Sequence, residues 1–130
     1  MRAEHQRISG FTLIELLIVV VIIGILAAIA IPKFAETKGK SYASALKSDL
    51  KNISSVQEGY FYDNETYASA LALVSFKPTS GVILTITEAN GNGWSATTTH
   101  PSAAPLTCAV FYGTAAPVGP ATAEGVIACQ

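Results

Sequence analysis

The chain has 130 residues, enough for one domain, and its formal net charge is −1. Half of its residues are hydrophobic, but much of that apolar content lies in one block near the N-terminus. The bulk charge therefore gives no electrostatic argument for nucleic-acid binding. Lysines cluster mildly between Lys33 and Lys51, interleaved with Glu36 and Asp49, and we interpret this segment as a solvated helix face, not a polyanion site.

The chain begins with a short polar leader, Met1–Gly10, which carries Arg2 and Arg7. The 21 residues of Phe11–Ile31 follow, with Glu15 as their single charge. As an α-helix this run would be about 31 Å long, close to the ~30 Å hydrocarbon core of a bilayer. Basic residues before a membrane span favour a cytoplasmic N-terminus, so we expect the C-terminal part to be exported.

The position of Gly10 distinguishes this leader from an ordinary secretory signal, which is cleaved at small residues after its apolar run. Because Gly10 precedes the run, we expect the apolar segment to stay in the mature protein. A plain membrane anchor would explain the segment but not Glu15, since a carboxylate within a membrane span is costly and indicates a function by default. After cleavage the nearest cation would be the α-amino group of Phe11, on the same chain or on a neighbour.

The sequence Gly-Phe-Thr-Leu-Ile-Glu at positions 10–15, followed by a long apolar helix, resembles the class III signal of type IV pilins and the related pseudopilins. The resemblance covers residues 7 to about 35. It implies that a prepilin peptidase cleaves between Gly10 and Phe11 and methylates the new N-terminal Phe11. It also implies that Glu15 neutralises the amino group of an adjacent subunit and sets the axial register of a filament.

Gly24 and Pro32 fall where pilins often carry a glycine and a proline. Pro32 lacks the N–H that would bond the carbonyl of Ala28, and Gly24 weakens a helix by about 1 kcal/mol. The segment between them is therefore expected to kink or unwind. The resemblance implies that it melts in a filament, and a simple bend at Pro32 is the alternative.

After Pro32 the apolar pattern becomes a stripe with helical spacing, which predicts an amphipathic helix that runs to about Tyr62. The predicted buried stripe consists of Tyr42, Leu46, Leu50, Ile53, Val56 and Tyr60. The charged residues assigned to the other faces are Lys40, Lys47, Asp49, Lys51 and Glu58.

The remainder predicts a small antiparallel sheet of three or four strands packed on the amphipathic half-helix, an α+β pilin fold. Residues 63–80 are expected to form a loop with a helical turn around Tyr67–Leu73. Strands are expected at 81–87, 94–100, 108–112 and 126–129, with a hairpin turn at Asn90–Gly93 and a loop at Gly113–Gly125. The expected core anchors are Phe76, Trp94, Val110 and Phe111.

The expected organisation is therefore a leader (1–10), a membrane-spanning and filament-core helix (11–32) and a globular head (33–130). Within the head we expect the half-helix at 33–62, a loop at 63–80, and the sheet with its C-terminal loop at 81–130. The two cysteines, Cys108 and Cys129, suggest a disulfide in an exported domain, with two independent buried thiols as the alternative.

An enzyme is disfavoured, because the only histidines are His5, in the leader, and His100, before a proline, and no catalytic, phosphate-binding or metal motif is present. We expect no cofactor or metal.

The predicted function is a structural subunit of a type IV pilus, held in the inner membrane as a precursor with its head in the periplasm, then polymerised into a surface filament for adhesion, motility or DNA uptake. The predicted partners are copies of the chain, a prepilin peptidase and the inner-membrane assembly machinery. A type II secretion pseudopilin and a minor pilin are the alternatives, and Asn64, in an Asn-Glu-Thr sequon, is a candidate glycosylation site.

Overall fold

The computed structural model describes residues 10–130, so most of the expected leader, including Arg2, His5 and Arg7, lies outside the described residues. The described chain contains one long helix, α1 (Leu13–Asn64), and four strands: β1 (Ile83–Ala89), β2 (Gly93–Thr99), β3 (Thr107–Gly113) and β4 (Ala128–Cys129). Two short 3₁₀ turns lie at Leu71–Val74 and Pro101–Ala103. The chain divides into two compact units between Thr37 and Lys38.

In the first unit, residues 13–37 are helical throughout, and nearly all of their side chains are exposed. The apolar run predicts a helix, and Pro32 lies inside it without ending it. Among residues 10–130, α1 is the one helix that is long and apolar enough to cross a membrane, judged by length and composition. The described residues do not bury its apolar stretch, whereas the core helix of a soluble domain is mostly buried.

In the second unit, the four strands form one antiparallel sheet in the order β1-β2-β3-β4, and α1 packs one face against it. The helix contributes Leu46, Leu50 and Ile53, each fully buried. The sheet contributes fully buried side chains that include Trp94 and Val110. The α+β architecture predicted from the sequence is therefore confirmed, with four strands.

The element bounds differ slightly from the expected ones. The helix ends at Asn64 rather than at about Tyr62. The 3₁₀ turn at Leu71–Val74 lies C-terminal to much of the helical turn expected at Tyr67–Leu73. In β1, Thr87 is an unpaired bulge between the pairs that Ile86 and Glu88 make with β2. Of the expected core anchors, Trp94, Val110 and Phe111 are buried, whereas Phe76 is only partly buried.

Asp49 differs most clearly from the sequence-based prediction. The helical pattern predicts that it lies on an exposed face, but its side chain is only 3% exposed, so this prediction is wrong. Its Oδ2 accepts a hydrogen bond from the backbone N–H of Thr79 at 2.7 Å, and its Oδ1 accepts one from the Thr79 hydroxyl at 2.8 Å. These two bonds satisfy the buried carboxylate and fasten the loop after the helix to the helix itself.

Gln57 makes a second buried polar connection of the same kind. Its side-chain amide donates to the carbonyl of Ala68 and accepts from the N–H of Ala68, both at 2.8 Å. Because a buried amide needs partners for its donor and its acceptor, this reciprocal pair holds the segment after α1 in place.

The hairpin between β1 and β2 is closed by the predicted Asn-Gly-Asn-Gly turn. The side chain of Asn90 accepts a hydrogen bond from the N–H of Asn92 at 2.7 Å, and the N–H of Asn90 bonds the carbonyl of Gly93 at 2.9 Å. Gly113, at the end of β3, packs against this turn with φ +64°, and a Cβ there would collide with the Asn92 carbonyl. Only glycine therefore fits that contact without strain.

Candidate assembly site

The residues expected at the processing junction lie at the start of the described chain and are exposed. Phe11 is 81% exposed, and Gly10 beside it is also exposed. Helix α1 begins two residues later, at Leu13. The Gly10–Phe11 bond therefore lies outside the regular helix, and cleavage there stays a prediction.

Thr12 and Glu15 form a reciprocal cap at the first turn of α1. The N–H and the hydroxyl of Thr12 donate to Oε2 of Glu15 at 2.8 Å and 2.7 Å, and the N–H of Glu15 donates to Oγ1 of Thr12 at 3.3 Å. This is a capping box, in which an N-cap threonine and a glutamate three residues later satisfy orphan donors of the first turn. Glu15 is therefore held in a defined position within its own chain before any neighbour is present.

Glu15 is expected at this site from the sequence, whereas the role of Thr12 is evident only in the structure. The available signal was the spacing Thr-x-x-Glu immediately before an apolar helical run. A negative side chain in the first turn also lies at the positive end of the helix dipole, where the two attract each other.

Gly24 and Pro32 do not join this group, since they lie farther along α1, roughly 14 Å and 26 Å from Glu15 at the helical rise per residue. No atom of residues 10–130 outside the neighbouring helix backbone lies within 4 Å of where a Cβ of Gly24 would stand, so these residues place no steric demand for glycine there. The helix is continuous through the segment between them. Their expected roles in a filament, and the unwinding of this segment, stay predictions.

The disulfide predicted from the sequence is present and joins Cys108 of β3 to Cys129 of β4. The two residues are directly opposed in the antiparallel ladder. The bond closes the loop between the strands, and within this loop Ala115 and Ala121 pack on Ala109 of β3. Glu124 also fastens the loop, since its Oε1 accepts from the N–H of Gly113 at 2.7 Å.

The remaining sequence-based candidates have local partners. Asn64 is exposed at the last position of α1 and donates its side-chain amide to the carbonyl of Tyr60 at 2.9 Å, and its glycosylation stays a prediction. His100 stacks on Tyr42 with ring centroids 4.4 Å apart, and its Nδ1 accepts from the N–H of Ser102 at 3.1 Å. These contacts are those of a structural histidine.

Comparisons with known proteins place this arrangement in a family. Residues 5–31 match the model of the prokaryotic N-terminal methylation motif. The chain is 45% identical over 77 residues to the type IV major pilin protein PilA of Myxococcus xanthus, which covers 59% of this chain and 35% of that protein. It is 39% identical over 66 residues to the type II secretion system core protein G of Pseudomonas aeruginosa, which covers 51% of this chain and 46% of that protein.

The chain thus spans about a third to a half of the length of these two relatives. A third relative is matched over more of its length. The chain is 37% identical over 93 residues to the type IV wide pilus major component PilA4 of Thermus thermophilus, which covers 68% of this chain and 71% of that protein. With its methylation motif, its exposed apolar helix and its four-stranded head, the chain belongs to the type IV pilin family.

Proposed function

We propose that the protein is a structural subunit of a type IV pilus. It is inserted in the inner membrane through residues 11–32, cleaved by a prepilin peptidase between Gly10 and Phe11, and methylated on Phe11. It then polymerises into a helical surface filament. Its role is structural, not catalytic, and it needs no cofactor.

The observation that carries this proposal is the apolar part of α1, whose side chains are exposed and do not pack against the rest of residues 10–130. Leu13 is 86% exposed and Ile29 is 68% exposed, and the large apolar residues between them are each at least 46% exposed. A continuous apolar surface of this size is stable only in lipid or packed against other protein. The head of the same chain has its own core and disulfide. The apolar helix can therefore move from the lipid bilayer to the filament core while the head stays folded.

Glu15 would determine the axial register between neighbouring subunits, because apolar contacts alone do not select one register. Both of the contacts that Thr12 donates use Oε2 of Glu15, and within the described residues Oε1 accepts no hydrogen bond. The cap therefore presents a fixed, negatively charged oxygen at the start of the helix. In the filament this oxygen would receive the N-methylated amino group of Phe11 from an adjacent subunit. A buried charge without its partner is strongly unfavourable, so the pair would select one axial register and reject others.

Gly24 and Pro32 would act after extraction from the membrane. Pro32 leaves the Ala28 carbonyl without its backbone donor, and Gly24 adds backbone freedom. We propose that the segment between them unwinds in the filament, where neighbouring helices compensate for the lost hydrogen bonds.

A type II secretion pseudopilin is the second candidate, because core protein G relatives match about half of the chain. The C-terminal loop favours the pilus subunit. Residues 113–125 contain a single acidic residue, Glu124, which is engaged by Gly113, and the loop is closed by the disulfide. This arrangement resembles the disulfide-bounded loop of pilins, whereas major pseudopilins carry an acidic loop that binds calcium.

Mass analysis of sheared surface filaments tests the proposal. The chain should be abundant in that fraction, and its N-terminal peptide should begin with N-methyl-Phe11. Removal of Arg2, Arg7 and Glu4 with the leader should change the formal net charge from −1 to −2. A filament fraction that lacks the chain, or a mature chain that keeps Met1, would overturn the proposal. Presence in a complex with secretion components, and not in surface filaments, would support the pseudopilin instead.

A further inference from the structure

The head carries a basic stripe along one exposed face of α1, formed by Lys40, Lys47 and Lys51 with Ser44 and Ser55. Spacings of 7 and 11 residues from Lys40 bring the three lysines within about 40° of one another around the helix. All five side chains are exposed. The stripe is turned by roughly 110° from the Leu46–Leu50–Ile53 face that packs on the sheet, so it remains on the surface when the head is folded.

The opposite charge is concentrated where α1 ends. Residues 52–130 contain five acidic residues and one lysine, Lys77, a net charge of −4, whereas residues 33–51 contain five lysines and two acidic residues, a net charge of +3. We call the group Asp63, Glu65 and Glu88 the acidic end. The N–H of Tyr67 bonds the carbonyl of Asn90 at 3.1 Å, which brings the segment after α1 to the hairpin turn beside Glu88.

This placement is unfavourable for an isolated head. The last turn of α1 has no basic residue, although cations are the groups that stabilise the negative end of a helix dipole. Asp63 instead adds a negative charge there, and no lysine lies in residues 52–76 to offset it. The acidic end therefore has a negative potential that its own sequence does not neutralise.

We propose that the basic stripe of one copy of this chain docks against the acidic end of a second copy in the filament. Charge complementarity is the argument for that occupant, and the serines of the stripe allow a close approach. Lys47 and Lys51 lie 16 and 12 residues before Asp63, so side-by-side copies displaced by about 20 Å along their helix axes would bring the two surfaces together. The inference rests on the proposed assembly into a filament and adds to it a head-to-head contact with its own register.

Charge reversal in the full-length chain tests the contact. Lys47→Glu with Lys51→Glu, or Asp63→Lys with Glu65→Lys, places like charges against each other. Each variant alone should reduce the sheared-filament pool by roughly tenfold or more. Lys38→Glu with Lys77→Glu is the matched control, since it changes the net charge as much as the first variant but lies off the stripe, and it should assemble normally.

Co-expression of the two reversed chains provides the decisive arm. In the mixture each reversed stripe meets a reversed acidic end, so filaments containing both chains should return to within about threefold of wild type. Emission of the single tryptophan, Trp94, reports whether each head is folded. If a double variant does not fold, the single variants Lys47→Glu and Lys51→Glu are compared instead. Normal assembly of each variant alone, or failure of the mixture, would overturn the inference. Absence of wild-type filaments would instead contradict the proposed function.

Discussion

Removing the Asp49 carboxylate should destabilise the head far more than a surface substitution does. In Asp49→Ala, both hydrogen bonds from Thr79 are lost, and each bond to a charged group is worth about 1.5–3 kcal/mol. Because Thr79 is exposed and water can replace part of the loss, we expect a total of about 2–4 kcal/mol. For a domain of this size that corresponds to a fall in melting temperature of roughly 10–20 °C.

The full-length chain in detergent micelles is suitable for the measurement, because the single tryptophan, Trp94, is buried in the head and stacks on Tyr112. Its emission on heating reports head unfolding without interference from the apolar helix. Asp49→Asn, which keeps one acceptor, should fall between wild type and Asp49→Ala. Asp63→Asn, an exposed carboxylate on the same helix, should be close to wild type. If Asp49→Ala and Asp63→Asn have the same melting temperature, the buried carboxylate of Asp49 does not stabilise the loop and the reasoning is wrong.

Gly113→Ala should lower stability by about 1–3 kcal/mol, because the site has positive φ and no space for a Cβ, whereas Gly59→Ala, in open space on α1, should be neutral or stabilising in the same melts. Non-reducing peptide mapping should recover Cys108 linked to Cys129, and replacing both with serine should cost about 3 kcal/mol; alkylation of both thiols in the folded protein would contradict the bond. Burial, then a neighbouring carboxylate, raises the pKa of Tyr67 above the usual tyrosine value of 10.0. Its stabilising contribution is then complete below that pH and lost as pH rises through the folded-state pKa, so Tyr67→Phe should reduce the loss of stability in alkaline melts; an unchanged alkaline profile would refute this.

Local patterns in the sequence were enough for the architecture. The apolar run, the helical stripe from Leu46 to Ile53 and the Asn-Gly turn each act over a few residues, and the structure keeps all three. The Thr12–Glu15 cap was equally accessible, since its spacing is a local signal. These features could be predicted because their physical causes lie within one or two helical turns or within one hairpin.

Asp49 and Gln57 could not be assigned in the same way. Their positions fall on the buried stripe, three residues after Leu46 and four after Ile53. A polar side chain is buried at little cost, however, only where it finds a hydrogen-bond partner. Those partners are Thr79 and Ala68, which are 30 and 11 residues away in sequence. Burial of these two side chains is therefore a tertiary property, and the local pattern alone favours an exposed assignment.

The fold of one subunit does not explain the glycine at position 24 or the free oxygen of Glu15. In the described part of the chain, there is open space at Gly24, and Oε1 of Glu15 accepts no hydrogen bond. The proposed roles of these two residues depend instead on contacts with neighbouring copies.

Comparison of the membrane-held and sheared-filament pools of Glu15 variants tests the central claim most directly. Glu15→Ala and Glu15→Gln should both stay inserted in the membrane, because removing a charge from an apolar segment does not weaken insertion. Both should reduce the filament pool by roughly tenfold or more, whereas Glu36→Gln, on the same helix beyond the apolar segment, should assemble like wild type. Assembly of both Glu15 variants at wild-type levels would show that charge pairing at the start of α1 does not set the register of the filament.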